Sequence, residues 1–271
     1  MRKQTAAIQL AVCVAAVSGA GANATVVHGQ GTWETTLEAR DLNHDGTTDA
    51  YYDTVLNISW LADFSYPMTH LGAGSGLIWQ GAMDAAARLN VLGVTGWRLP
   101  TLSPINGTSF QYGRTNNGST DIGTAWTDLG WGKNSELGHL FYVTLGNRGF
   151  FIPDDSSPAI FNGPQPGWTP DPNSGPFQNV VATGYWTDTK LRSAPDVSMM
   201  FNWSTGYQSD DSSEHRLWSA FVRDGDVALV PEPTTTSLLL VGLCGLLAAL
   251  RGRARRAFTT ADARTASYAV I

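Results

Sequence analysis

The sequence predicts an α+β fold with a mixed or antiparallel sheet, two helices and long loops. Two segments space their apolar side chains by three and four residues, as amphipathic helices do. Five segments are rich in aromatic and β-branched residues, which is typical of strands. The stretch 149–183 is rich in Pro, Gly, Asn and Asp and predicts a long loop. Because no internal repeat and no sharp second boundary occurs, we expect a single domain.

The predicted elements follow in chain order. The five strand candidates are 50–56, 58–61, 184–189, 198–203 and 217–223. The first helix spans 79–91, and Gly93 follows it as a stop signal. The second spans 135–145, where Ser135 can cap the first turn and Gly146 ends the helix. The side chains expected to face the core are Trp79, Met83, Ala86, Ala87 and Asn90 in the first helix and Leu137, Leu140, Phe141, Thr144 and Leu145 in the second.

The first 24 residues predict a secretory signal peptide. A basic start precedes an apolar run over 6–17, and Ala22-Asn23-Ala24 forms a cleavage site of the A-x-A kind. The apolar run is too short for a stable membrane span. We expect cleavage after Ala24, and an uncleaved anchor is the alternative.

Residues 231–256 combine a short motif, an apolar helix and a basic cluster. The motif Pro231-Glu232-Pro233 precedes the apolar stretch 234–250, which is at the short end for a transmembrane helix. Basic residues stay on the cytoplasmic side, which leaves the main domain outside. A plain tail anchor is the physical alternative. The cluster consists of Arg251, Arg253, Arg255 and Arg256.

In order and composition this segment resembles the PEP-CTERM sorting signal of Gram-negative, biofilm-forming bacteria. The resemblance implies an exosortase-type enzyme that recognises Pro-Glu-Pro and processes the anchor. It therefore implies a transient inner-membrane intermediate and a final place at the cell surface or in the extracellular matrix. The tail 257–271 is longer than the few residues usual in that family.

Residues 25–230 form the expected exported domain, which is strongly acidic. Its 10 Lys and Arg against 21 Asp and Glu give a formal net charge of −11. This charge favours divalent cations and argues against nucleic acid, whose binding needs clustered basic residues. The two cysteines, Cys13 and Cys244, lie in the targeting segments, so the domain has no disulfide, thiol nucleophile or Cys-ligated zinc.

The domain shows none of the common catalytic or nucleotide-binding motifs. H-E-x-x-H, G-x-S-x-G, the P-loop and G-x-G-x-x-G are all missing. Asp154 and Asp155 could in principle serve as a glycosidase pair, but adjacent side chains usually point apart. We therefore expect a protein that is not an enzyme.

The sharpest local pattern is D-x-N-x-D-G-x-x-D over 41–49, which resembles the start of an EF-hand or dockerin calcium loop. Gly46 allows the tight turn at position six. Position twelve is Tyr52, where a bidentate acid belongs, and the next residue could replace it. An Asp/Asn/Gly hairpin turn is the alternative. The expected Ca²⁺ ligands are Asp41, Asn43, Asp45, Thr47, Asp49 and Asp53.

A second distinctive string follows the first predicted helix. Trp97 and Leu99 alternate with Arg98, and Pro100 prevents the strand from continuing before Thr101. We expect this string to be a structural anchor. Arg98 should pair with a carboxylate or stack on an aromatic ring.

Together with Tyr185-Trp186-Thr187-Asp188 and the segment 218–225, this string resembles the C-terminal domain of the Legionella collagen-like adhesin family. The resemblance spans roughly 57–226. It implies a C-type-lectin-like domain with a surface or adhesive role. The formylglycine-generating enzymes share that broad fold, but their chemistry depends on cysteines that this domain lacks.

These observations predict an exported surface or biofilm-matrix protein that binds exopolysaccharide through exposed aromatic side chains and calcium. Aromatic faces stack on sugar rings. A purely structural matrix protein and a hydrolase with an unrecognised carboxylate site are the alternatives. The candidate sugar contacts are Trp126, Trp131 and Trp168, which lie in glycine- or proline-rich segments.

Overall fold

The computed structural model describes residues 31–126, 131–156, 160–191 and 194–227. The predicted signal peptide (1–24), sorting segment (231–256) and tail (257–271) lie outside the described residues. Helices and strands mix along the described chain, which confirms the α+β class. The strands form one sheet of four strands and one of five.

The four-stranded sheet is antiparallel and joins the two ends of the described chain. Its strand order is β1-β2-β3-β9. Ser59 of β3 lies opposite Arg223 of β9, so the last strand closes on the early hairpins. The strands are β1 (Leu37–Arg40), β2 (Ala50–Asp53), β3 (Ile58–Leu61) and β9 (Val222–Asp224).

The five-stranded sheet is mixed, as predicted. Its order is β4-β5-β8-β7-β6, in which β4 and β5 are parallel and the other neighbours are antiparallel. The strands are β4 (Arg114–Thr115), β5 (Ile122–Gly123), β6 (Gly184–Lys190), β7 (Val197–Asn202) and β8 (Tyr207–Ser212).

An aromatic core takes side chains from both sheets. Phe64 lies within it, with its ring centroid 5.9 Å from that of Trp60, 5.2 Å from Tyr185 and 4.9 Å from Trp203. Aromatic pairs at such separations contribute about 0.5–1.5 kcal/mol beyond the burial of their area. Since this domain has no cysteine, buried rings take the place of covalent cross-links.

The first predicted helix is α3 (Trp79–Arg88), which ends three residues earlier than expected. Ala82, Ala86 and Leu89 are buried with Trp79, whereas Ala87 and Asn90 are exposed. The prediction of which helix side chains face the core was therefore correct at the start of the helix and wrong at its end. Ala87 is still within the helix, but the buried side is set by Trp79, Ala82 and Ala86, so Ala87 faces away from it. Asn90 follows the end of the helix, because the chain leaves it after Arg88 with Leu89 in extended conformation.

The second predicted helix has two parts, α4 (Glu136–His139) and a π-helix (Leu140–Thr144). The Ser135 hydroxyl accepts a hydrogen bond from the Gly138 N–H at 3.0 Å, so the predicted cap is present. His139 is buried, because both parts of the helix lie inside the core.

The sequence did not indicate several short elements. β1, β4, β5 and β8 were missed, and β2 ends before the predicted strand does. Of the predicted strand 217–223, only the end belongs to β9, while Leu217 and Trp218 form single bridges to Leu77 and Tyr185. The remaining helical segments are α1 (Trp33–Thr36), α2 (Tyr66–His70) and a 3₁₀ turn (Gly132–Asn134).

Among the described helices, none combines the length and the apolar composition that a bilayer crossing requires. The predicted sorting helix falls outside the described residues.

Candidate functional site

The Trp97–Thr101 string is built into the core. Trp97 is 2% exposed, and its indole N–H donates to the Val94 carbonyl at 3.0 Å. The backbone of Arg98 exchanges two hydrogen bonds with Val222, at 2.7 and 2.9 Å. Leu99 is fully buried. This placement is the one expected of a structural anchor.

Arg98 and Thr101 join this string to α4 and β6. The Arg98 guanidinium donates to both oxygens of Glu136, at 2.8 Å each, and also bonds to Asp224. The Thr101 N–H donates to Glu136 at 2.7 Å, and its hydroxyl donates to Asp188 at 2.9 Å. Burial raises the pKa of Asp188. These polar groups are satisfied by one another, so the cluster fixes the fold.

The loop over 41–49 connects β1 to β2 and therefore lies at the end of an antiparallel hairpin. His44 and Gly46 have positive φ angles of 61° and 89°. The Asp41 carboxylate accepts the N–H groups of Asp45 at 3.2 Å and Gly46 at 2.7 Å. The tight turn that the pattern predicts is present around Asp41.

Other oxygens of this loop are also used internally. Asp45 accepts from the Thr47 N–H and the Asn43 amide, and Asp49 accepts from the Leu42 N–H at 2.8 Å. The hydrogen bond from Asn43 is the main cause that lowers the pKa of Asp45. Within the described ranges, no three His, Cys, Asp or Glu side chains form a group that could hold a metal ion.

Asp53 does not belong to this loop. It lies opposite Leu37, three residues along the hairpin from the Arg40–Ala50 pair, which is about 10 Å at strand spacing. It is buried and accepts the N–H groups of Val55 and Leu56 at 2.9 Å. Burial raises the pKa of Asp53. The expectation that it closes the calcium loop does not fit this position.

The three candidate tryptophans have different surroundings. Trp126 is 38% exposed. Trp131 is 2% exposed, because its indole N–H donates to the Thr120 carbonyl and its ring packs in the core, so it presents no face to a sugar. Trp168 is half-buried, donates to the Ser204 carbonyl at 2.9 Å and packs edge-on against Phe150.

The structure also contains a cavity of about 430 Å³, which none of the three candidate tryptophans lines. Its lining is mostly aromatic, and its volume lies in the range of small-molecule sites. The Phe151 ring centroid is 5.1 Å from that of Phe161 and 5.9 Å from that of Tyr207. The residues that line the cavity are Arg114, Phe151, Phe161, Thr205 and Tyr207.

Two buried amide side chains hold the loop that carries Phe151 and Phe161. The Asn116 amide donates to the carbonyls of Ile152 at 2.6 Å and Ile160 at 3.0 Å. The Gln165 amide donates to the Phe151 carbonyl at 3.1 Å. Because both amides are buried, this wall of the cavity is fixed before any ligand arrives.

The polar groups of the cavity have no protein partners among the described residues. The Arg114 guanidinium makes no ion pair or hydrogen bond there, and the hydroxyls of Thr205 and Tyr207 make no hydrogen bond. Burial raises the pKa of Tyr207, the positive charge of Arg114 offsets part of that shift, and the negative charge of Asp210 adds to it. Sequence patterns could not reveal this site, because its residues come from separate segments.

Asp154 and Asp155 bind different partners. Asp154 accepts from the N–H groups of Ser156 and Ile160, and these bonds lower its pKa, with the Ser156 side chain as the main cause. Asp155 accepts from the Asn117 amide at 3.0 Å. Both carboxylates therefore serve to shape the loop beside the cavity.

Comparison with known proteins identifies one part of the chain. A family model described as the PEP-CTERM protein-sorting motif matches residues 229–256. The match confirms the sorting signal predicted at Pro231-Glu232-Pro233. This motif implies recognition by exosortase, export through the membrane and sorting to the cell surface. No curated protein and no solved structure shows a significant match to the chain.

Proposed function

We propose that this protein is a non-catalytic binding protein of the cell surface or biofilm matrix, which holds exopolysaccharide in the aromatic-lined cavity. The cavity is the observation that carries the proposal. It offers the rings of Phe151, Phe161 and Tyr207 together with polar groups that have no protein partners in the described structure. Rings of this kind pack on the apolar faces of sugars, while hydroxyl and guanidinium groups bond to their oxygens.

The sorting motif supports an exported location for such a partner. Its match over 229–256 implies delivery to the cell surface, where polysaccharide is accessible. From the sequence we propose three steps of export. Residues 1–24 are removed, the protein passes through a transient inner-membrane stage, and the domain is released into the matrix of a Gram-negative bacterium.

The C-type-lectin-like architecture remains part of the proposal. Its support is the Trp97–Thr101 string. Arg98 links this string to α4 and β9, and Thr101 links it to β6 through Asp188. An adhesin-like domain needs a rigid frame of this kind to present its loops.

Calcium is the cofactor that we propose for the hairpin loop over 41–49. The spacing of Asp41, Asn43 and Asp45 and the left-handed turn at Gly46 support it. Each carboxylate that accepts an N–H keeps further lone pairs for a cation. Binding requires the Asp45 and Asp49 side chains to turn toward Asp41, so we expect weak affinity.

Binding to a polysaccharide array tests the main proposal. The full chain, purified in detergent, should bind a subset of bacterial exopolysaccharides, and Phe161→Ala should reduce that binding because it removes one wall of the cavity. Leu71→Ala is the matched control, since this exposed apolar side chain is not part of the cavity lining. Equal binding by wild type and Phe161→Ala would exclude the cavity as the site. No binding to any polysaccharide would favour a purely structural matrix role.

A further inference from the structure

Arg114 differs from the other arginines that the structure describes. Each of the others donates a side-chain hydrogen bond or forms an ion pair, whereas the Arg114 guanidinium does neither within the described ranges. The contrast matters because the exported domain has 21 acidic residues against 10 basic ones. An arginine without a carboxylate is unexpected in such a domain, and this one lines the cavity.

The surroundings of Arg114 suit a ligand with both a ring and an anionic group. Phe151 and Phe161 supply apolar surface on one side, at a centroid separation of 5.1 Å. The hydroxyls of Thr205 and Tyr207 add two groups that can both donate and accept hydrogen bonds. A planar guanidinium presents paired N–H groups that match a carboxylate in a bidentate manner.

We infer that the cavity binds a sugar ring that carries a carboxylate, such as a uronate residue of an acidic polysaccharide. The carboxylate pairs with Arg114, the apolar face of the ring packs on Phe151 and Phe161, and the ring hydroxyls bond to Thr205 and Tyr207. This inference rests on the proposed function and specifies the class of its ligand.

A neutral sugar suits this cavity less well. A neutral ring would remove the guanidinium of Arg114 from water without giving it an anionic partner, and such desolvation is costly. A carboxylate restores that interaction in a partly apolar site, where charge-assisted hydrogen bonds are roughly twice as strong as neutral ones. We therefore expect the acidic sugar to bind at least about tenfold more tightly than its neutral counterpart.

Matched sugar pairs test this inference directly. Calorimetry on the full chain in detergent would compare uronate oligosaccharides with their neutral hexose counterparts of the same stereochemistry. The gluco, galacto and manno series would all be included. Salt at about 0.15 M shortens the Debye length to about 8 Å, which screens repulsion between the acidic domain and an acidic ligand more than it screens direct contact.

Arg114→Gln should bring the affinities for the acidic and neutral members of a pair to within about threefold. The melting temperature should stay unchanged, since the side chain is exposed and holds no other described group. Arg88→Gln is the control, because Arg88 is exposed and pairs only within its own helix. It should keep the wild-type preference.

Each outcome of these experiments either supports or overturns the inference that the cavity binds an acidic sugar. A wild-type protein that binds neutral and acidic sugars equally, or an Arg114→Gln protein that keeps the acidic preference, overturns the inference and leaves the proposed function standing. Stronger binding of sulfated neutral sugars, or of benzoate alone, overturns the carboxylate or the sugar assignment respectively. If no sugar of either class binds, both the inference and the proposed function fail.

Discussion

Glu136 is the residue on which the polar anchor of this domain depends. It accepts two hydrogen bonds from Arg98 and one from the Thr101 N–H, and it is almost fully buried. Glu136→Gln removes the charge and one acceptor, while Arg98 keeps Asp224. We expect the free energy of unfolding to fall by about 1–3 kcal/mol, measured by urea denaturation at pH 7. The control Glu38→Gln removes an exposed partner of Arg40 and should cost under about 1 kcal/mol.

His139 predicts how stability changes with pH. Burial lowers its pKa to about 4, and the nearby charge of Lys133 adds to the effect. Because the unfolded state takes up a proton near pH 6.5 and the folded state does not, stability is lost as pH falls from about 6.5 to 4. The loss attributable to this group is about 3 kcal/mol at most.

Comparing wild type with His139→Leu isolates this contribution. The gap in free energy of unfolding between the two proteins should shift in favour of the variant as pH is lowered from 7 to 4.5. Buried Asp53 and Asp188 have raised pKa values and act in the opposite direction, but they are common to both proteins. A gap that stays constant over this range would show that His139 takes up its proton at the same pH in the folded and the unfolded protein, which would contradict the lowered pKa.

At the scale of the secondary-structure elements, the hairpin loop over 41–49 can be tested for calcium binding, with a simple turn as the alternative. If the loop binds Ca²⁺, millimolar calcium should raise the melting temperature, because a ligand of the folded state adds RT ln(1 + [L]/Kd). At 100 times Kd the gain is about 2.7 kcal/mol, and we expect a Kd on the order of 10⁻⁴–10⁻³ M. Calorimetry with calcium and magnesium would measure both effects.

Asp41→Asn should abolish the calcium-dependent shift, while its amide oxygen can still accept the shorter of the two hydrogen bonds, from the Gly46 N–H. Asp171→Asn changes an exposed acid far along the chain and should leave the shift intact. An equal rise in melting temperature with wild type and Asp41→Asn would place the cation elsewhere. No rise at all would leave the loop as an Asp-rich turn.

The elements also show why sequence reading succeeded in some places and failed in others. Helix α3 was predictable because Trp79 begins a periodic pattern. The π-helix was not, since one added residue per turn leaves Leu140 and Phe141 at spacings that an α-helix also allows. Strand β8 was missed because Gln208 is its one buried side chain and the rest of Tyr207–Ser212 is largely polar.

The candidate site could not be predicted from the sequence, because local patterns do not report tertiary contacts. The neighbouring glycines suggested that Trp131 is a surface residue, but its indole N–H donates to the Thr120 carbonyl inside the fold. Conversely, Phe151 and Phe161 carry no motif, and only tertiary contacts bring them to Arg114. Local patterns predict elements and turns, whereas a cavity depends on how distant segments meet.

At the scale of the whole molecule, the positions of the sorting motif and of the charged residues are compatible with export of the domain. The PEP-CTERM match at 229–256 lies directly after the last described strand, so processing there would leave the domain with both sheets intact. The high negative charge favours solubility of the released domain outside the cell. Among the described residues, Arg114 is the arginine whose guanidinium makes no hydrogen bond or ion pair, and the proposed preference for an acidic sugar rests on that one group.

Sorting itself gives the last prediction. Changing Pro231, Glu232 and Pro233 to alanine removes the motif and keeps the apolar stretch and the arginines, so the protein should remain in the inner membrane at full length. Wild type should instead appear outside with a new C-terminus and an N-terminus near Thr25, as measured by cell fractionation and mass spectrometry. Pro170→Ala, in an exposed loop, controls for loss of a proline. If the triple variant reaches the exterior as wild type does, the motif does not direct sorting. If wild type and variant both stay in the inner membrane at full length, the arginine-flanked segment acts as a plain anchor.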